Sequence, residues 1–132
     1  MLQGGTAEPA LRAPHILVVE DEIFIRMMIS DAFRDRGFSV IEAFNGDEAA
    51  DLLMAGKAVD LVFSDVRMPG SLDGLGLLDF VRRHAPDLPV ILTSGHLEPK
   101  LALAQGARHF LRKPYQIDAV LGLVASELGK SA

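Results

Sequence analysis

Four short apolar runs in this chain each lead straight into residues able to do polar chemistry. His15–Glu20 opens into Glu20-Asp21-Glu22, Leu61–Ser64 into Asp65, Pro89–Thr93 into Thr93-Ser94, and Ala107–Leu111 is followed by Lys113-Pro114. If the runs are neighbouring strands, carboxylates, hydroxyls and one ammonium meet at a single edge. Carboxylates crowded into one crevice repel, and one of them takes up a proton unless a cation intervenes. A hard divalent cation such as Mg²⁺ resolves the repulsion. It prefers oxygen ligands, uses one or two carboxylates, and keeps other positions for water and phosphate oxygens. Lys113 adds a second positive charge. That combination suits phosphoryl transfer, whose transition state asks for positioning and for neutralisation of charge on the equatorial oxygens. The central carboxylate can itself be the nucleophile and form an aspartyl phosphate.

The elements that must position these groups follow from the spacing of apolar residues. Helical patterns occupy Glu22–Arg36, Asn45–Ala55, Gly74–His84, Glu98–Gln105 and Tyr115–Leu128. Gly37 and Gly56 stop the first two, Asn45 and Glu48 are spaced as a capping box, and Asp73 is placed to cap the third. The last carries a stripe of Ile117, Val120, Leu121, Val124 and Leu128. Ser39–Phe44 supplies a fifth strand. Alternating strands and helices imply an α/β fold with a parallel sheet covered on both faces. The first, third and fourth strands are solidly apolar and belong at the centre. The second alternates and the fifth carries Arg108 and His109, so both belong at edges. The resulting order, 2-1-3-4-5, is that of the flavodoxin-like doubly wound (βα)5 three-layer sandwich, whose functional groups gather at the carboxyl ends of the strands.

A length of 132 residues suits one domain. We expect residues 15–129 to fold, with Met1–Pro14 as a disordered tail, because Gly4, Gly5, Pro9 and Pro14 interrupt any periodicity there. After Leu128 only Gly129-Lys130-Ser131-Ala132 remain, so the sequence reads as a stand-alone domain or as a piece of a longer chain. The net charge of −5 argues against a nucleic-acid partner. The absence of cysteine excludes disulfides, thiolate metal sites and thiol catalysis. No apolar run approaches the roughly 20 residues of a membrane span, and the amino terminus lacks a signal-peptide pattern. A cytoplasmic protein without membrane contact is expected.

The segments Ile16–Glu22, Ser64-Asp65-Val66-Arg67-Met68-Pro69-Gly70, Asp73-Gly74, Val90–Gly95, and Gly106-Ala107 through Phe110 to Lys113-Pro114 together resemble a bacterial two-component response regulator receiver domain. The resemblance implies that Asp65 accepts a phosphoryl group from a sensor histidine kinase or a histidine phosphotransfer protein. It implies that Glu20, Asp21, Asp65 and the backbone carbonyl of Arg67 hold Mg²⁺. Lys113 would pair with phosphoryl oxygens, and Thr93 and Phe110 would form a switch that alters the surface offered to a downstream protein. Such a domain promotes only its own phosphorylation and dephosphorylation, as a monomer or homodimer, and its Lys-Pro bond is cis. The loop after Asp65 is one residue longer than the common family pattern, and Phe110 stands where Tyr is frequent.

Each residue also has a structural reading. Asp21 could cap the first helix, Asp65 and Lys113 could be solvated surface charges, Thr93 a turn hydroxyl, and Phe110 core. Met27 and Met28 are expected to pack inside, the four histidines to be ordinary, and Arg34, Arg36, Arg82 and Arg83 to be solvated. Two other functions compete, and a third does so more weakly. One is a degenerate receiver serving as an interaction scaffold. The other is an aspartate-nucleophile phosphatase, which usually has a second acid two residues past the nucleophile, where this chain has Arg67. A flavin or nucleotide module is poorer still, since Glu20-Asp21-Glu22 would repel phosphate.

Overall fold

The computed structural model describes residues 13–96 and 99–129. Strands β1 (His15–Val19), β2 (Ser39–Ala43), β3 (Leu61–Asp65), β4 (Val90–Ser94) and β5 (His109–Arg112) alternate with helices α1 (Ile23–Asp35), α2 (Gly46–Met54), α3 (Gly74–His84), α4 (Pro99–Ala104) and α5 (Ile117–Leu128). All pairings are parallel and the order is β2-β1-β3-β4-β5. The doubly wound architecture is therefore the one the apolar patterns predict. The edge strands are only partly buried, whereas β3 and β4 are buried along their whole length.

Side chains alternate across a strand, so a central strand feeds two cores. Ile16, Val18, Leu61, Phe63 and Ile91 pack against Ile29 and Phe33 of α1 and Val120, Leu121 and Val124 of α5. Leu17, Val19, Val62, Val90 and Leu92 pack against α2, α3 and α4 through Ala49, Leu77, Leu78, Val81 and Ala102. Edge-to-face contacts of Phe63 with Phe33 (5.7 Å) and Tyr115 (5.9 Å) fasten α1 and the approach to α5 onto β3.

The caps form as their spacing implies, with one shift. Asn45 Oδ1 accepts from Glu48 N at 2.8 Å, but Glu48 Oε1 accepts from Phe44 N (2.8 Å), one residue ahead of the cap. Asp73 Oδ1 accepts from Gly76 N at 2.8 Å. The fifth strand starts at His109 and not at Ala107, because Ala107 N donates to Ala102 O (3.1 Å) and so closes the turn after α4. Of the expected tail Met1–Pro14, all but Ala13 and Pro14 lie outside the described residues, and Pro14 O already accepts from Ser39 N at 2.9 Å. Glu98, the expected start of α4, also lies outside them.

Two side-chain expectations are corrected. Met27 and Met28 are 47% and 51% exposed. They stand on the solvent side of α1, since Ile29 and Phe33 already fill its inward stripe. Arg82 is half-buried and donates to the carbonyls of Pro86 and Leu88, holding the α3–β4 turn, while Arg34 is exposed as expected and pairs with Glu42 at 3.1 Å. No helix among the described residues is long and apolar enough to cross a membrane.

Candidate functional site

The carboxyl edge of the sheet gathers the predicted residues. Glu20 N donates to Ala43 O at 3.1 Å, which carries the β1–β2 ladder one residue beyond β1. Glu20 is thereby turned inward, 4% exposed, and its Oε2 accepts from Glu22 N at 3.2 Å. Asp21, next along the turn, is exposed. It does not cap α1, whose N-cap is Glu22 without a side-chain cap bond. Asp65 is the last residue of β3, is 8% exposed, and its Oδ1 accepts from Val66 N at 2.9 Å. Thr93, 1% exposed, is its Cα partner on β4. Lys113 follows β5 and precedes a cis peptide bond to Pro114. Its backbone N donates to Ser94 O at 3.0 Å, and its Nζ reaches both Glu20 Oε1 (3.1 Å) and Asp65 Oδ2 (3.2 Å). Phe110 is partly buried and rests on the core shared with α2, α3 and α4.

The loop from Val66 to Asp73 is tied at both ends. Gly74 opens α3 hard against β3: a Cβ there would stand 2.3 Å from Asp65 O and 2.6 Å from Val66 Cα. Only glycine fits that approach. The loop is held from α2, where Asp47 accepts from Ser71 Oγ at 2.6 Å and from Ser71 N at 3.0 Å. These bonds hold the Asp47 carboxyl below its ordinary range. A cavity of about 320 Å³ opens over the site and is lined by Asp65, Arg67, Ser94, Gly95, His96 and Lys113.

Electrostatics separates these groups from the surface charges. Burial raises the Glu20 carboxyl, the charge of Asp65 raises it further, and Lys113 pulls back only part of the way. Burial likewise raises Asp65, with Lys113 opposing. For Lys113, burial acts to lower the ammonium's pKa, but Asp65 and Glu20 outweigh it and the net direction is upward. Burial pushes the Tyr115 phenol up to about 12. Oxygens of Glu20, Asp21 and Asp65 lie within 4.8 Å of one another. Three carboxylates facing one ammonium leave an excess of negative charge, and the all-oxygen donor set fits a hard divalent cation.

Sequence reasoning placed every acid, the lysine and the threonine at one edge, and the structure brings them together. It missed two contributors. His96, taken as ordinary, stands on the cavity wall beside Gly95. Arg26 donates from Nη1 to Glu20 O at 2.8 Å and from Nε to Glu42 Oε1 at 3.1 Å. A lone arginine among Ile23, Phe24, Ile25, Met27 and Met28 was the available signal for the second.

Residues 16–125 match the family described as "Response regulator receiver domain". The chain is 38% identical over 112 residues to the DNA-binding transcriptional regulator NtrC of Escherichia coli, covering 83% of this chain and 24% of that protein. It is 36% identical over 113 residues to the nitrogen assimilation regulatory protein NtrX of Azorhizobium caulinodans, covering 83% and 25%. It thus spans about a quarter of the length of these relatives. The crystal structure of the NtrX receiver domain from Brucella abortus superposes with a TM-score of 0.79 at 37% identity, covering 88% of this chain and 99% of that one. A receiver domain of a Francisella response regulator gives 0.82 at 30% identity, covering 88% and 97%.

Proposed function

The chain belongs to the response regulator receiver domain family, and from that premise we propose that it is a phosphoacceptor whose Asp65 receives a phosphoryl group from a phosphohistidine. The observation that carries this reading is the placement of Asp65: a carboxylate at the end of a buried strand, held by Val66 N on one oxygen and Lys113 Nζ on the other, and facing an open cavity. An oxygen of Asp65 attacks phosphorus while the P–N bond to the donor imidazole breaks, and the imidazole leaves with its electron pair. Lys113 opposes the desolvation that raises Asp65 and so favours its ionised form, and then faces the phosphoryl oxygens. Glu20, Asp21, Asp65 and the Arg67 carbonyl are the groups that would hold Mg²⁺. When bound, the ion supplies neutralisation of charge on the transferring group. Thr93, buried beside Asp65 in register, and Phe110 on the adjacent strand are the residues through which the modification would reach a partner surface.

The partner reading is a histidine kinase or phosphotransfer protein upstream and a protein downstream. The apolar residues Phe24 (78% exposed), Met27 and Met28 follow directly on the acidic turn and support a protein docking there. Nucleic-acid contact is stated of NtrC by its name; for this chain the net charge of −5 favours protein contact. Turnover of another substrate is not part of the reading, since Arg67 stands where an aspartate-nucleophile phosphatase has its second acid.

Intact-mass measurement after incubation with acetyl phosphate tests the proposal. The expected result is one added phosphoryl group with Mg²⁺ present, absent without it and absent in Asp65→Asn. No gain under any condition would leave the scaffold reading, and a stably phosphorylated Asp65→Asn would overturn the site.

A further inference from the structure

We propose that Arg26 is a positioning residue that sets the geometry of the Glu20-Asp21 acid pair. Its side chain is only 17% exposed and is spent on two bonds that leave its own helix. Nη1 donates to Glu20 O at 2.8 Å, and Nε donates to Glu42 Oε1 of β2 at 3.1 Å. The planar guanidinium offers donors in fixed relative directions, so satisfying both acceptors fixes where each can lie. Glu20 O belongs to the peptide unit that joins Glu20 to Asp21. On the other side, Glu20 N is tied to Ala43 O at 3.1 Å. With both of its backbone groups held by β2 or by α1, the Glu20 backbone has little freedom to rotate. The direction in which Asp21 leaves the turn follows from that. The N-cap residue Glu22 adds no side-chain cap bond, and the local bond in the turn, Glu22 N to Glu20 Oε2 at 3.2 Å, ends on a side chain and leaves the Glu20-Asp21 peptide to Arg26. Arg26 is thus to the two acids what a hydrogen-bonding partner behind a ligand is to a metal site: it touches neither the ion nor the phosphoryl group, and it orients the groups that do.

The inference rests on the reading of Glu20, Asp21 and Asp65 as the Mg²⁺-binding group, and charge alone predicts the opposite sign. Removing a cation near three carboxylates should tighten Mg²⁺ binding by simple electrostatics. Losing the positioning bond should weaken it. The test is calorimetric titration of Mg²⁺ into the wild-type chain, Arg26→Ala, Arg26→Lys and Arg34→Ala, together with amide hydrogen exchange of the metal-free proteins. Arg34→Ala cuts the same Glu42 cluster without touching Glu20 O, so it measures what a merely structural loss does.

The expected result is about tenfold weaker Mg²⁺ binding in Arg26→Ala and a smaller loss in Arg26→Lys. Exchange should be about tenfold faster at the Asp21 and Glu22 amides, with β3 and β4 amides unchanged and Arg34→Ala like wild type. Mg²⁺ binding that is unchanged or tighter in Arg26→Ala, exchange that does not change, or an equal loss in Arg34→Ala would each overturn the proposal. If Arg26→Ala does not fold, Arg26→Lys carries the same comparison. If the wild-type chain binds no Mg²⁺, the proposed function falls, and the exchange data alone still decide whether Arg26 orders the turn.

Discussion

Two clusters of opposite charges sit near each other on this fold, and they are built to different rules. At the carboxyl edge, one ammonium, Lys113, stands 3.1 Å from Glu20 and 3.2 Å from Asp65, with Asp21 in the same group. Across α1 and β2, two guanidiniums, Arg26 and Arg34, meet Glu42 at 3.1 Å each, with Asp31 3.7 Å from Arg34. The first cluster is desolvated and short of positive charge, so both buried carboxyls are pushed upward. The second is balanced and partly in water. Unbalanced charge held out of water is costly for the fold and useful for chemistry, because an incoming cation or phosphoryl group finds unmet interactions waiting. Balanced charge in water does little beyond orienting what it touches.

That contrast can be broken or sharpened by substitution. The largest effect should come from Lys113→Ala. Removing the one cation of the buried cluster should slow phosphorylation from acetyl phosphate about 100-fold, while Mg²⁺ binding stays intact or tightens slightly. Clearly weaker Mg²⁺ binding, read by titration, would mean that the ammonium supports the metal site and does not compete with it.

Next comes Gly74→Ala, which tests whether the buried cluster depends on the tight seat of α3. The added methyl meets the Asp65 carbonyl and the Val66 backbone, and neither can swing aside. A loss of about 2 kcal/mol in denaturant unfolding is expected, with slower phosphorylation. Wild-type stability would show that the helix can slide away from β3.

Asp65→Asn should act in the other direction on stability, raising that of the metal-free domain near pH 7 by about 1 kcal/mol. The sign follows from linkage. The folded-state carboxyls of Glu20 and Asp65 are raised above their ordinary 4.5 and 3.8, so the stability these two groups contribute is fully present below those values and is lost as the pH rises through the raised ones. The gain from Asp65→Asn should therefore vanish in melting curves as the pH falls below 3.8 and grow as the pH rises through the raised value. A gain that persists unchanged at acid pH would point to packing and not to charge.

The smallest effect belongs to the surface cluster. Arg34→Ala should cost under about 0.5 kcal/mol and leave phosphorylation untouched. A loss above 1 kcal/mol by the same measurement would show that the exposed pairs are not the weak partners their setting implies.

The legible part of this protein was periodic or compositional. Solid apolar runs against an alternating one ordered the strands, and the polar residues closing those runs named Glu20, Asp21, Asp65, Thr93 and Lys113 together. Residues whose role depends on reach across elements were misread or missed. Met27 and Met28 look like core because they are apolar, yet Ile29 and Phe33 take the inward stripe and leave them in water. The fifth strand slipped because Ala107 N is used by α4. The path of the loop after Asp65 rests on Asp47, 24 residues before Ser71 in the chain.

The sequence by itself determined which chemistry this chain can do, because side-chain type and the strand-end positions that gather it are local properties. Only the tertiary structure decided how the chemistry is held: Lys113 between two acids that precede it by 93 and 48 residues, with Arg26 behind the peptide that joins Glu20 to Asp21. Hydrogen bonds and ion pairs act over a few ångströms of space, and nothing in residue order states which distant groups folding will bring within that range.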